Sequence, residues 1–214
     1  ATSKLILPFL RVFEEERFRK GLSFLSQWKT ALPFKFDLED RPDTAQGKVD
    51  HAGNFRSHQK LLGRGMPTGL LLGRSSTGFT RRMHYLGESM QGFWNVSLRS
   101  EFKKESLLKD LQMGIFVGDL SVDAFDPRSA EIILTLSNAS LIHHGELGEA
   151  ILPVTLKCSL VDLFSSWETF AGTDRTYGYW IAKEGCRFIT EITAPGSFSR
   201  EFFIPGSVSP SHYW

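Results

Sequence analysis

The sequence predicts an all-β fold in which short strands close into one shell. Three features carry that prediction: strand-like runs at even spacing, turn chemistry between them, and no catalytic motif. The runs are GFWNVSLRS (92–100), QMGIFVGDLSV (112–122), AEIILTLSNASLI (130–142), AILPVTLKCSLVDLF (150–164), TYGYWIAKEG (176–185), CRFITEIT (186–193) and FSREFFIP (198–205). Most are rich in β-branched and aromatic residues and alternate along their length. In WNVSLR, Trp94, Val96 and Leu98 fall on one face and Asn95, Ser97 and Arg99 on the other, as a half-buried strand requires. CRFITEIT alternates less cleanly, the pattern of a strand buried on both sides. In the run after DPRS, Ile133 is placed inward. DPRS, HHGELG, GTDRT, KEG and APGS punctuate the series. Strands so spaced make a sandwich, a barrel or a jelly roll.

Residues 1–47 are organised differently and read as an arm or connector, with 48–214 as the main domain. In ILPFLRVFEEERFRKGLSFLSQWKTAL, Phe18, Leu22, Leu25 and Trp28 recur at helical spacing, and Glu14, Glu15 and Glu16 precede Arg17, Arg19 and Lys20. That is either an amphipathic helix entered at Pro8 or an extended arm whose aromatics dock on neighbouring subunits. Gly21 weighs against the helix by ~1 kcal/mol. Residues 37–58 read as a polar connector.

Composition bounds the remaining choices. An all-β chain of 214 residues is commonly one domain and buries roughly 70% of its unfolded surface, so it needs no disulfide or metal staple. Cys158 and Cys186 lie inside strand-like runs without CxxC spacing, the pattern of two buried thiols. No apolar stretch reaches the ~20 residues of a membrane helix, and no signal peptide precedes the first helix-like run.

The formal charge of +1 conceals an asymmetry. Residues 48–104 carry 10 basic and 3 acidic side chains, a net of +7, whereas residues 105–214 carry 7 basic and 14 acidic, a net of −7. Arg56, Lys60, Arg64, Arg74, Arg81 and Arg82 are interleaved with glycines, a composition able to follow a phosphate backbone. These six are the candidate nucleic-acid contacts, the RNA-binding residues if the resemblance described below holds. The alternative is that the cations are solvated or pair with the acidic half. A near-zero net charge argues against a free-standing nucleic-acid binder.

No enzyme is expected. His143 and His144 adjoin Glu146 and Glu149, yet adjacent strand residues point to opposite faces, and HHGELG has the chemistry of a turn. Asp119, Asp123 and Asp126 lack the glycine and terminal glutamate of a calcium loop. GRSSTG (73–78) lacks the GK[ST] ending of a phosphate loop, and no nucleophile elbow, HExxH or dinucleotide fingerprint occurs. No catalytic residue, metal or cofactor follows from these residues.

HYLGESMQGFWNVSLRSEF, LQMGIFVGDLSV, and YGYWIAKEGCRFITEITAPGSF followed by SREFFIPG form a strand pattern over residues 78–206. In it the chain resembles the coat proteins of picorna-like plant viruses, the secovirid group that includes comoviruses and cheraviruses. Ala194–Phe198, APGSF, is the most specific piece of the resemblance. The resemblance implies an eight-stranded antiparallel jelly-roll sandwich at 48–214, with residues 1–47 as an N-terminal arm. It implies a capsid subunit released from a polyprotein, which fits a chain starting at Ala1. The implied partners are sister coat proteins and genomic single-stranded RNA, without membrane. The implied locations are the virion and, during assembly, the host cytoplasm. Eighteen phenylalanines and five tryptophans exceed one sandwich core, so some are expected at subunit interfaces. The rival classes are a viral movement or matrix-type protein and a β-sandwich binding module or enzyme.

Overall fold

Apolar side chains crowd the first 38 residues, and the fold is built around them. The computed structural model describes residues 1–28, 30–41, 55, 58–68, 81–83, 89–91, 93, 95–105, 107–183 and 186–199. Helix α1 (Thr2–Phe9) buries Leu5, Ile6 and Phe9, the one-sided spacing of an amphipathic helix. Pro8, which has no amide donor, sits in its last turn, and the chain tightens into a 3-10 turn over Leu10–Phe13. Helix α2 (Glu15–Arg19) follows, then a second 3-10 turn at Phe24–Gln27 capped by Ser23. Phe18, Leu22, Leu25 and Trp28 thus do not share one helix.

The strands are β1 (Asp37–Asp40), β2 (Gln59–Gly63), β3 (Met66–Pro67), β4 (Arg81–Met83), β5 (Ser89–Gln91), β6 (Asn95–Arg99) and β7 (Lys103–Lys104). Then come β8 (Met113–Phe125), β9 (Glu131–His143), β10 (Glu146–Ile151) and β11 (Val154–Ser159), helix α3 (Leu160–Ser165), and the long pair β12 (Trp167–Lys183) and β13 (Cys186–Ser199). One sheet runs β3-β2-β1-β6-β13-β12-β7. In the other, β9 pairs β8 along one side and β10 and β11 in series along the other. β4 and β5 form a separate ribbon.

This topology corrects the antiparallel jelly roll. β6 runs parallel to β13, with Asn95 opposite Glu191 and Ser97 opposite Thr193, and β7 runs parallel to β12. Parallel neighbours need long crossovers, so consecutive hairpins cannot build this sheet. The run 150–164 breaks in two. Ser159 caps the amide of Asp162 and turns LVDLFS into α3, an ordinary N-cap signal that alternation concealed. APGSF lies inside β13, where Arg175 pairs with Ala194 and Thr169 with Phe198 around a register shift. A strand proline is tolerated at such irregularities.

One core serves both sheets. Phe9, Phe13, Phe24, Phe34, Phe36, Phe93, Phe164, Trp167 and Phe170 are all buried in it, so these aromatics fill the interior instead of subunit contacts. The β2–β3 turn is held against the segment before β1. Gly65 has φ +74°, its carbonyl accepts from the amide of Leu32 at 2.7 Å, and a Cβ there would stand 1.7 Å from the Leu32 carbonyl oxygen. No helix among the described residues is long and apolar enough to cross a membrane.

In the first half of β9 the buried positions are Ile132 and Leu134, with Ile133 only half-buried, so the inward register is one residue from that expected. Ile132→Asp should abolish soluble folding, because a buried unpaired charge costs several kcal/mol. Ile133→Asp should fold and lose less than about 2 kcal/mol. Soluble yield and urea midpoints of the two variants check the register.

Candidate functional site

The outer face of the seven-stranded sheet carries a row of polar residues. Direct partners across a sheet share a face. Thr176, Thr193, Ser97, Glu39 and Lys60 therefore form one row across β12, β13, β6, β1 and β2. Glu191 and Asn95 form the next. Arg41 follows at the end of β1, its amide donating to the Asn95 carbonyl at 3.0 Å.

Glu39 is the hub. It is 8% exposed, and its Oε2 accepts from Arg41 Nη2 at 2.6 Å and Nε at 2.9 Å. His58 Nε2 lies at 3.3 Å and Arg99 Nε at 3.5 Å. Burying a carboxylate demands such compensation. Beside it, Asn95 Nδ2 donates to Glu191 Oε2 at 2.5 Å, and the Asn95 amide donates to Asp40 Oδ1 at 2.9 Å. Asn95 Oδ1 is buried and has no hydrogen-bond partner among the described residues. At the far side, Asp37 takes Lys60 Nζ at 2.6 Å and the Arg64 amide at 2.7 Å. With its Oε2 filled, Glu39 works as a strut across β1, β2 and β6.

Of the six candidate RNA contacts, four lie among the described residues. Lys60 and Arg64 lie at this network, Lys60 ion-paired and Arg64 in the β2–β3 turn at φ 49°. Arg81 and Arg82 lie on β4, opposite Gln91 and Met90. Arg56 and Arg74 lie outside the described residues. The residues that do converge, Glu39, Arg41, His58, Asn95, Arg99 and Glu191, were not singled out by sequence. Residues 37–58 read as a polar connector, yet β1 lies at its start, and nothing linear sets Arg99 or Glu191 beside Glu39.

The metal candidates do not converge. His143 ends β9 and His144 turns at φ 48°, with the rings 5.3 Å apart. Asp119 is held by Lys4 at 2.6 Å, and the hydrogen bond to that ammonium lowers its pKa. Asp123 accepts from Thr135 and then Ser121, which lower its pKa likewise. Asp126 Oδ1 takes the Arg128 amide and shapes the turn at Pro127. Cys158 is buried, and desolvation, then the nearby Asp162, push its thiol up to about 11. That keeps it protonated, the wrong form for a ligand. Among the described residues no three His, Cys, Asp or Glu side chains cluster to hold a metal ion.

A family model, the PmbA/TldA metallopeptidase C-terminal domain, matches residues 1–197. The chain belongs to this family. Among solved structures, TldE of Thermococcus kodakarensis is similar at a TM-score of 0.71 and 16% identity, over 88% of this chain and 44% of its own. A proposed modulator of a DNA gyrase from Thermotoga maritima is similar at 0.69 and 18%, over 93% and 46%. A proposed modulator of DNA gyrase from Bacteroides thetaiotaomicron is similar at 0.65 and 15%, over 92% and 44%. No curated protein matches the chain. This PmbA/TldA-family chain spans less than half the length of these solved relatives.

Membership corrects the viral resemblance. The match begins at residue 1 and takes in the first 77 residues, which the coat-protein pattern left unassigned. With the resemblance go the capsid function, the sister coat proteins and genomic RNA as partners, and the virion and host cytoplasm as locations. The strand pattern misled because period-two alternation marks any half-buried sheet.

Two outcomes test the site. Glu39→Ala should cost about 2 kcal/mol, since it removes two charge-assisted hydrogen bonds from Arg41 at a partly buried position, whereas Arg99→Ala, half-exposed, should cost under about 0.5 kcal/mol. Urea midpoints at constant slope read the difference. For Cys158 the folded value lies above the ordinary 9.0, so its share of stability is full below pH 9.0 and is lost as pH rises toward about 11. Urea midpoints across that window should fall less steeply in Cys158→Ala than in the parent chain.

Proposed function

We propose that this chain is a scaffold unit of a PmbA/TldD-type metallopeptidase and is not itself the catalyst. The observation that carries the reading is the donor set. Among the described residues, the carboxylates of the polar face are taken up by Arg41, Arg99, His58, Lys60 and Asn95, and the buried thiol is held protonated. These residues do not fit a metal centre, whose ligands must be deprotonated and convergent. The family's description supplies the peptidase context, and the partial span of the relatives supports a role as one part of a larger machine.

Metal content of the full chain after growth with added zinc, together with hydrolysis of an unfolded casein substrate, tests the proposal. Substoichiometric metal removed by simple dialysis and no hydrolysis are expected. One tightly held metal per chain, or hydrolysis abolished by a chelator, would overturn it.

A further inference from the structure

The polar face of the larger sheet carries an exposed tryptophan beside a carboxylate that no cation neutralises. Trp180 of β12 is 70% exposed and pairs with Ile189 of β13. Two residues earlier Gly178 pairs with Glu191, and the next row is Thr176 with Thr193. Trp180, Gly178, Ile189 and Glu191 therefore share the outer face. Glu191 is diagonal to Trp180, a spacing of about 7–8 Å that an indole can span. Gly178 leaves the space between them open. Beyond its chain neighbours, a Cβ there would meet one described atom within 4 Å, the Ile189 Cγ2 at 3.3 Å. Glu191 is half-buried, and its Oε2 accepts from Asn95 Nδ2 at 2.5 Å. Asn95 is neutral, so this bond fixes the carboxylate without cancelling its charge. The cations of the same face are engaged elsewhere, Arg41 and Arg99 with Glu39 and Lys60 with Asp37. Among the described residues none pairs with Glu191. Arg187 pairs with Ala182 and so takes the other diagonal of Trp180, which leaves the Glu191 flank as the one that attracts a cation.

We propose that Trp180 and Glu191 bind an alkylammonium, either free or at the end of a lysine side chain, in the notch above Gly178. The face of an indole attracts a cation through its quadrupole. Glu191 adds the opposite charge at the same place, and because Asn95 already holds it, little side-chain freedom is lost on binding. A neutral apolar ligand would gain from the ring alone and would leave the carboxylate beside it desolvated and unpaired. A divalent metal ion would find a single carboxylate, too few oxygens to hold it. Each contact is weak at a solvated surface, so the expected Kd is about 1–10 mM. The inference does not rest on the scaffold role.

Nuclear magnetic resonance of the full, isotope-labelled chain reads the site through the backbone amides of Gly178 and Glu191 and the indole N–H of Trp180. The chain is titrated with butylammonium, with N-acetyl-lysine methylamide and with neutral butanol. Saturable shifts with both cations, and none with butanol, are expected, and whichever cation binds more tightly identifies the source of the ligand. Trp180→Leu, followed at the Gly178 amide, should weaken binding at least about threefold. Its thermal midpoint should stay at the parent value, because the side chain is exposed. Glu191→Gln keeps an acceptor for Asn95, removes the charge and should weaken binding at least about threefold. If that variant misfolds, raising salt from about 20 to about 500 mM stands in and should weaken binding of the parent chain likewise. No saturable shift up to about 50 mM cation overturns the proposal. So does butanol moving the same signals as strongly, or an affinity that either variant leaves unchanged.

Discussion

Burial of Phe164 is the constraint on which the rest of this fold depends. Its ring lies 5.0 Å from Phe9, 5.5 Å from Phe34, 5.4 Å from Phe36 and 4.5 Å from Trp167, centroid to centroid. Those partners come from α1, the segment before β1, and the start of β12. Each aromatic pair adds about 0.5–1.5 kcal/mol beyond the area it buries. α3 carries Phe164 and is the direct link between β11 of one sheet and β12 of the other. Fixing this ring therefore fixes how the two sheets meet, and it draws the N-terminal 40 residues into the interior.

Once the sheets are set, the outer face of the larger one must manage buried charge. The +7 and −7 halves of the sequence meet in part as ion pairs: Lys103 with Asp174 at 2.8 Å and Lys104 with Asp110 at 3.5 Å. Around Glu39 the same logic works in a drier setting, where an unpaired carboxylate would be costly and four donors converge instead. A face whose charges are mutually engaged is stiff. It positions strands, and it leaves few groups poised for proton transfer or metal binding.

The smaller sheet shows the reverse economy. Its core end is packed through Leu120, Ile132 and Leu134, while its far end carries Met113, Ile115, Leu141 and Leu147 into solvent. Apolar side chains at a strand edge are a hazard for a lone domain. They are ordinary at a surface that another folded unit covers, which suits a chain spanning less than half of its solved relatives.

The sequence by itself determined β6, β8 and β9, and it determined them locally. HHGELG, by contrast, reads as a turn where β10 begins, and GTDRT and APGS read as breaks yet lie inside β12 and β13. Val96 and Leu98 point inward, β8 and β9 lie within a few residues of their predicted bounds, and the turn at His144–Gly145 has the chemistry its residues announce. What it could not specify is which strand lies beside which. Period-two alternation is the same in a jelly roll and in a mixed sheet, so the parallel pairing of β6 with β13 leaves no linear mark. The hub at Glu39 was hidden for the same reason. Its partner Arg99 is on another strand, and Asn95 and Glu191 stand 96 residues apart. α1 was hidden by Pro8 and by its brevity, since a helix of two turns is held by packing on a core that only the folded chain possesses. Local chemistry made the strands; long-range burial chose the sheet, the site and the family resemblance that holds.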